Sequence, residues 1–315
     1  MSHALVEKEE GTIRKVGRLL LTRYSLVMLW VVMVVVLVLV IPNDVDPIVA
    51  LRAVLGQMTP IIFLGLAVVI TMAVGEFDLS FAAIFGFAAV AVPSFNVLYG
   101  WPIWLSIVMA FVLALVWGLI NGLLIVFVGI NSVVVTLGVS SVAAGLGFFM
   151  SQETTVSGID PALAVVATGR FLDLPLIFWY GIVLVAVVAY VMSATPTGRN
   201  MLFVGSNPAV AKLAGISVKS VRMGAYLSSA ALCGFAGIVL SLGLGGFNPG
   251  TAATNLMPTF AAVFLGTVAV LPGRFNPIGM AIAAYFLLTG VFGLQLLGLT
   301  GWVVQVFYGA ALVIA

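Results

Sequence analysis

Long apolar runs alternate with short polar segments along most of this 315-residue chain. A helix needs about 20 consecutive apolar residues to cross the hydrocarbon core of a bilayer. The eighth run, 258–272, is short for a span, which predicts a tilted, broken or re-entrant helix. The pattern predicts an all-α polytopic membrane protein with about ten transmembrane helices, near residues 24–41, 53–74, 81–99, 103–128, 133–150, 177–194, 223–245, 258–272, 277–297 and 302–315.

Composition supports a membrane protein and excludes several classes of function. The chain is 63% hydrophobic and only 7% charged, whereas soluble domains carry roughly a quarter charged residues. The single histidine, His3, lies in the polar N-terminal segment, so we expect no histidine-based metal site and no serine–histidine hydrolase. The single cysteine, Cys233, lies in an apolar run and can form no disulfide within the chain. We find no G-x-x-x-x-G-K-[ST] phosphate loop and no basic stripe that could follow a phosphate backbone. We therefore expect no metal, no cofactor, no ATP site and no nucleic acid on this chain.

The charged residues are distributed unevenly between the predicted spans. Segment 195–222 contains four basic residues and no acidic one, whereas segments 42–52 and 151–176 are mainly acidic. Basic loops remain on the cytoplasmic side of a membrane. This distribution predicts a cytoplasmic N-terminal segment over 1–23, a transmembrane domain over 24–315 and a cytoplasmic loop over 195–222.

Two carboxylates, Glu76 and Asp78, lie between apolar runs in A-V-G-E-F-D-L-S (73–80). A carboxylate at the bilayer centre costs roughly 2.5–3.5 kcal/mol, so the pair indicates a gate or translocation path, a cytosolic turn in which Asp78 caps the next helix, or a proton relay. Neutral polar residues inside the spans are further candidates for a path, or else hold helices together. The candidates for a translocation path are Thr71, Glu76, Asp78, Asn121, Thr136, Ser140 and Gln295.

One short internal similarity occurs in the chain. Gly75-Glu76-Phe77-Asp78 is similar to Gly273-Arg274-Phe275-Asn276. The match indicates either two parallel copies of one unit or chance.

Four motifs resemble those of the permease subunits of ribose-type ABC importers, a family that includes relatives of branched-chain amino-acid permeases. The resemblance covers residues 60–315, and the motif at 195–216 is the most specific. Glu76 departs from the family pattern, which has a second glycine there. The motifs are T-P-T-G-R-N-M-L-F-V-G-S-N-P-A-V-A-K-L-A-G-I (195–216), G-L-I-N-G-L-L-I (118–125), V-V-V-T-L-G-V-S-S-V-A-A-G-L (133–146) and G-E-F-D-L-S (75–80).

The resemblance implies a non-catalytic subunit that moves a monosaccharide, polyol or similar small polar solute across a bacterial inner membrane by alternating access. It implies two ATPase subunits, or one of double length, that bind ATP and Mg, a second permease subunit of the same or a related kind, and an external solute-binding protein. Ser206–Leu213 is then the coupling helix that docks on the ATPase. Five residues match the family's docking motif: Gly205, Asn207, Ala211, Gly215 and Ile216. The resemblance implies ATPase coupling for the residues Gly205, Ser206, Asn207, Pro208, Ala209, Ala211, Lys212, Leu213, Gly215 and Ile216.

The alternative function is an ion-coupled secondary transporter in which Glu76 or Asp78 binds a proton or sodium ion. A third hypothesis is an intramembrane enzyme or an assembly scaffold. The lack of usable histidines and of a thiol at a polar position disfavours the enzyme.

Overall fold

The structure is a computed structural model that describes residues 23–40, 46–57 and 60–315. Apart from Arg23, the predicted N-terminal segment 1–23 lies outside the described residues. The described part of the chain is almost entirely helical, and seven of its helical segments are long and apolar enough to cross a membrane. The prediction of an all-helical, multi-pass protein is therefore confirmed.

The α-helices are α1 (Ser25–Val40), α2 (Pro47–Leu55), α3 (Ile61–Ala73), α4 (Phe81–Pro93), α5 (Ile103–Gly122), α6 (Ser132–Met150), α7 (Val165–Thr168), α8 (Leu176–Ala194), α9 (Pro196–Ser206), α10 (Pro208–Leu213), α11 (Val218–Leu244), α12 (Leu256–Leu265), α13 (Pro277–Leu296) and α14 (Trp302–Ile314). π-Helical turns extend α4 through Ser94–Leu98 and α5 through Leu123–Val128. Two-residue strands β1 (Val156–Ser157), β2 (Arg170–Phe171), β3 (Leu174–Pro175) and β4 (Gly246–Phe247) form the antiparallel pairs β1–β4 and β2–β3.

Two predicted spans differ from the observed helices. The run at 53–74 is divided, because α2 ends at Leu55 and α3 begins only at Ile61, after Pro60. Proline lacks the N–H that a continuous helix would need at this position. The eighth span covers Pro249–Val268 rather than 258–272, and it consists of α12 with a 3-10 turn at each end.

The centre of the fold is α11, which packs against α3, α4 and α5. Small residues allow the close contacts: a methyl group at Gly237 would lie 2.8 Å from the backbone nitrogen of Ala89 on α4. Phe63 on α3 packs edge-to-face on Phe235 of α11 at 5.9 Å. Because α3 runs antiparallel to α11 and α4 runs parallel to it, the segment 74–80 between them is a turn buried against α11.

Helix α9 lies beside two similar turns and contacts the first of them. Gly75 and Gly273 both have left-handed backbones, with φ of 78° and 79°, and each turn follows a helix of 13 residues or fewer. Gly205 on α9 packs against the first turn, and a cavity of about 560 Å³ separates α9 from the second. The sequence similarity between the two segments therefore has a counterpart in local structure.

Candidate functional site

The turn 74–80 begins with a change of backbone direction at Gly75. The N–H of Glu76 donates to the carbonyl of Thr71 at 3.0 Å, which closes the end of α3. Asp78 Oδ1 accepts the backbone N–H of Ser80 at 2.8 Å and its hydroxyl at 2.6 Å. Asp78 thus organises the entry into α4, as the turn hypothesis expects, although Ser80 is the residue directly before the helix.

A hydrogen-bonded network connects this turn with three helices. Asn121 on α5 donates from Nδ2 to the Ser80 hydroxyl at 2.7 Å, and Ser229 on α11 donates to Asp78 Oδ2 at 3.3 Å. The Leu79 N–H donates to the hydroxyl oxygen of Thr136 on α6 at 3.1 Å. Since buried polar groups are costly unless they are paired, these bonds fix the turn relative to α5, α6 and α11.

Glu76 is held by one face of α11. Its Oε1 lies 3.0 Å from Nε of Arg222, and its Oε2 accepts the hydroxyl of Tyr226 at 3.3 Å. The Glu76 side chain is 7% exposed and that of Arg222 is 27% exposed. The carboxylate is therefore a partnered, buried charge rather than a free ion-binding group.

The structure brings together four of the seven candidates for a translocation path. Glu76, Asp78, Asn121 and Thr136 belong to the turn and its network, and Thr71 adjoins it through its carbonyl group. The remaining two lie apart from these bonds: Ser140 is half-buried one turn further along α6, and Gln295 is exposed at the far end of α13.

Sequence reasoning missed the partners of the two carboxylates. Ser80, Tyr226 and Ser229 are all buried and were not among the candidates, and Arg222 was assigned only to the basic loop. A signal exists in the spacing of Arg222, Tyr226 and Ser229, which share one helix face because they are four and three residues apart. A buried acceptor also remains in the described network, since Asn121 Oδ1 has no hydrogen-bond partner there.

The segment 195–222 forms two short helices before α11. Asn207 caps α10, because its Oδ1 accepts the N–H groups of Ala209 and Val210 at 3.1 and 3.2 Å. The predicted helix over Ser206–Leu213 therefore begins later, at Pro208, and Ser206 is the last residue of α9. Gly215 follows α10 with a φ of 81°, a conformation that favours glycine.

The candidate docking residues differ in exposure. Ala211 is buried, and Gly205 and Ile216 are half-buried. Leu213 is 88% exposed. The other six are exposed: Ser206, Asn207, Pro208, Ala209, Lys212 and Gly215.

The family model described as the branched-chain amino acid transport system/permease component matches residues 50–315. The chain belongs to this family. No group of three or more His, Cys, Asp or Glu side chains that could hold a metal occurs among the described residues of this permease.

Several curated permeases are similar to this permease. The fructose import permease protein FrcC of Rhizobium meliloti is 28% identical over 83% of this chain and 75% of its own. The L-arabinose ABC transporter permease protein AraH of Azospirillum brasilense is 30% identical over 81% and 74%, and the autoinducer 2 import system permease protein LsrC of Photorhabdus laumondii is 27% identical over 77% and 72%. No solved structure matches the chain.

These relatives identify the class of transporter. The chain is a permease component of an ATP-driven ABC importer, a class that works with ATPase and substrate-binding partners. The alternative of an ion-coupled carrier receives no support from the relatives, and both carboxylates on which it depended are already bonded within the protein.

Proposed function

We propose that this permease moves a monosaccharide or a similar small polar solute across the bacterial inner membrane, driven by ATPase subunits that dock on segment 195–222. The solute class is supported by the relatives that import fructose and L-arabinose. The docking site is proposed from the surface of α10. This capped helix lies in a polar, basic segment, and the helix itself exposes apolar side chains.

The exposed side of α10 has the character of a contact surface. Val210 and Leu213, three residues apart on one helix face, are 45% and 88% exposed. Ala211 is fully buried, so the short helix is packed against the protein on its other side. The N–H of Ile216 donates to the Ala211 carbonyl at 3.0 Å and closes the end of the helix. A helix that is packed on one side and exposes apolar side chains on the other transmits the movement of a docked partner better than a flexible loop does.

The topology that supports this docking site has a cytoplasmic N-terminus and about ten spans, which places 195–222 in the cytosol. The full transporter contains a second permease subunit of the same or a related kind, two ATPase subunits or one of double length, and an external solute-binding protein. ATP and Mg bind to the ATPases, while this chain supplies the membrane pathway and has no catalytic step of its own.

The buried polar network is the part of the pathway that we assign to solute or to gating. Asn121 Oδ1 is an acceptor without a partner among the described residues, and buried acceptors are normally satisfied. Alternating access that opens the turn 74–80 would expose this oxygen to the hydroxyl groups of a sugar. The uncharged hydrogen-bonding groups of Asn121 and Thr136 suit such a solute.

The test of this function uses the transporter purified from its native cells with the ATPase that accompanies it. In proteoliposomes supplied with its binding protein, we expect ATP-dependent uptake of labelled fructose or arabinose that an ionophore does not reduce. Leu213→Asp is expected to release the ATPase and abolish uptake. Leu172→Asp is the matched control. Leu172 is 71% exposed and lies in the loop before α8, whereas segment 195–222 follows the other end of α8.

Leu213 is a better test position than Gly215, where any side chain would strain the left-handed backbone. Full ATPase retention and normal uptake by Leu213→Asp would contradict the docking site. Uptake that needs no ATP and collapses with an ionophore would contradict the importer itself.

A further inference from the structure

We propose that the Glu76–Arg222 ion pair is the positioning link that makes the buried turn 74–80 move together with the coupling segment, by which we mean α9 and α10 (Pro196–Ser206 and Pro208–Leu213). The proposal rests on the proposed function and names two residues through which ATPase movement reaches the buried network. It assigns no chemistry to either side chain. Both act by holding α11 and the turn in one arrangement.

The first step of the argument is the position of Arg222. It is the fifth residue of α11, the helix that directly follows α10 and Gly215. A displacement of α10 by a docked ATPase therefore reaches Arg222 along a short, continuous path in the backbone.

The second step is the way in which α11 holds the turn. Arg222, Tyr226 and Ser229 lie on one face of α11 and contact both carboxylates of the turn, Glu76 and Asp78. Ser229 is eleven residues after Val218, about 16 Å further along the helix axis. The three contacts therefore extend from near the coupling segment deep into the transmembrane part.

The third step is that the turn 74–80 also contacts several other helices. Ser80, directly before α4, accepts a hydrogen bond from Asn121 of α5 at 2.7 Å, and the Leu79 N–H donates to Thr136 of α6 at 3.1 Å. On its other side, the turn packs against Gly205 of α9. The turn thus contacts both the coupling segment and the helices around the buried polar network.

Electrostatics explains why an ion pair suits this link. Separating Glu76 from Arg222 would leave two charges in a poorly solvated site, which is strongly unfavourable. The pair therefore resists separation while it allows the two elements to shift as a unit. A glycine at position 76 could not form this pair.

The experiment measures ATP hydrolysis and solute uptake together, in proteoliposomes that contain the whole transporter. Glu76→Gln and Arg222→Gln are expected to raise the number of ATP molecules consumed per solute about tenfold, within the range known for coupling between linked sites. ATPase binding should be unchanged. Exchange of the two charges in Glu76→Arg/Arg222→Glu is expected to restore most of the wild-type ratio.

The second ion pair of the described chain provides matched controls. Arg52 and Asp173 pair at 3.1 Å, but their side chains are 51% and 64% exposed. Arg52→Gln and Asp173→Asn should leave the ratio unchanged, because exposed pairs contribute little. If loss of Glu76 prevents folding, Glu76→Asp keeps the charge and shortens the reach, and we expect about a twofold higher ratio.

The outcomes separate the two proposals. Wild-type protein with no ATP-dependent uptake would overturn the proposed function. Wild-type protein with coupled uptake, together with folded Glu76→Gln or Glu76→Asp of unchanged ratio, would overturn only the positioning link. A folded charge-exchanged protein that remains uncoupled would overturn it as well.

Discussion

Replacing Gly205 by alanine should loosen the contact between the coupling segment and the buried turn. Gly205 lies in α9, and its Cα faces the backbone at the end of α3. A methyl group there would overlap the carbonyl oxygen of Ala73, with the carbonyl carbon of that residue at 3.0 Å and the nitrogen of Gly75 at 3.3 Å. All three atoms belong to the backbone, so no side chain can rotate away, and α9 must shift.

The size of the effect follows from two opposing contributions. Overpacking a close contact typically costs about 1–3 kcal/mol, while alanine is favoured over glycine inside a helix by about 1 kcal/mol. Because Gly205 is next to the last residue of α9, the helical gain is smaller than in a helix centre. We expect a net destabilisation of about 1–2 kcal/mol.

Thermal unfolding can measure this destabilisation through Cys233, which is fully buried and becomes reactive to a fluorescent thiol probe when the protein unfolds. Gly309→Ala is the matched control, because Gly309 is in α14 with no neighbouring atom within 4 Å of the added methyl group. We expect Gly205→Ala to unfold at a lower temperature and to reduce ATP-dependent uptake, and Gly309→Ala to do neither. Equal or higher stability of Gly205→Ala with normal uptake would refute the reasoning.

Three further predictions concern the core. Thr136→Val should destabilise the protein by about 1–3 kcal/mol in the same assay, because the partly buried N–H of Leu79 loses its acceptor. Ser141→Ala should leave stability unchanged, because its hydroxyl bonds only within α6. Cys233 should resist maleimide in the native protein, and rapid labelling would contradict its burial. Gly237→Ala should lower the unfolding temperature, because its methyl group would meet the backbone of α4; an unchanged temperature would disprove that close packing.

The lengths of the apolar runs along the sequence predicted the bounds of several helices well. The runs at 103–128 and 277–297 correspond to Ile103–Val128 and Pro277–Leu296. The run at 53–74 was misjudged, because its interruption before Ile61 depends on Pro60, a residue that an apolar average hides. The helix predicted over 206–213 begins later than expected for a similar reason: a single cap, Asn207, determines that α10 begins at Pro208.

Only some residues of the buried site around the turn 74–80 could be predicted from the sequence. Glu76 and Asp78 were identifiable because carboxylates between apolar runs are costly and therefore rare. Their partners were not, since Tyr226 and Ser229 follow them by 150 and 151 positions and are ordinary residues for a membrane helix. The assignment of Gln295 to the translocation path stays a prediction, because Gln295 is exposed near the end of α13 and lies apart from this network.

The amino-acid sequence by itself determined the class of protein, the approximate spans and the basic segment 195–222, because hydropathy and charge act locally along the chain. Only the tertiary structure decided that Glu76 pairs with Arg222 and that Gly205 lies against Ala73. Such contacts depend on which helix faces meet, and neighbouring apolar helices offer many alternatives of similar hydrophobicity. The selection is made by a few buried polar bonds and glycine contacts, which leave little trace in a single sequence.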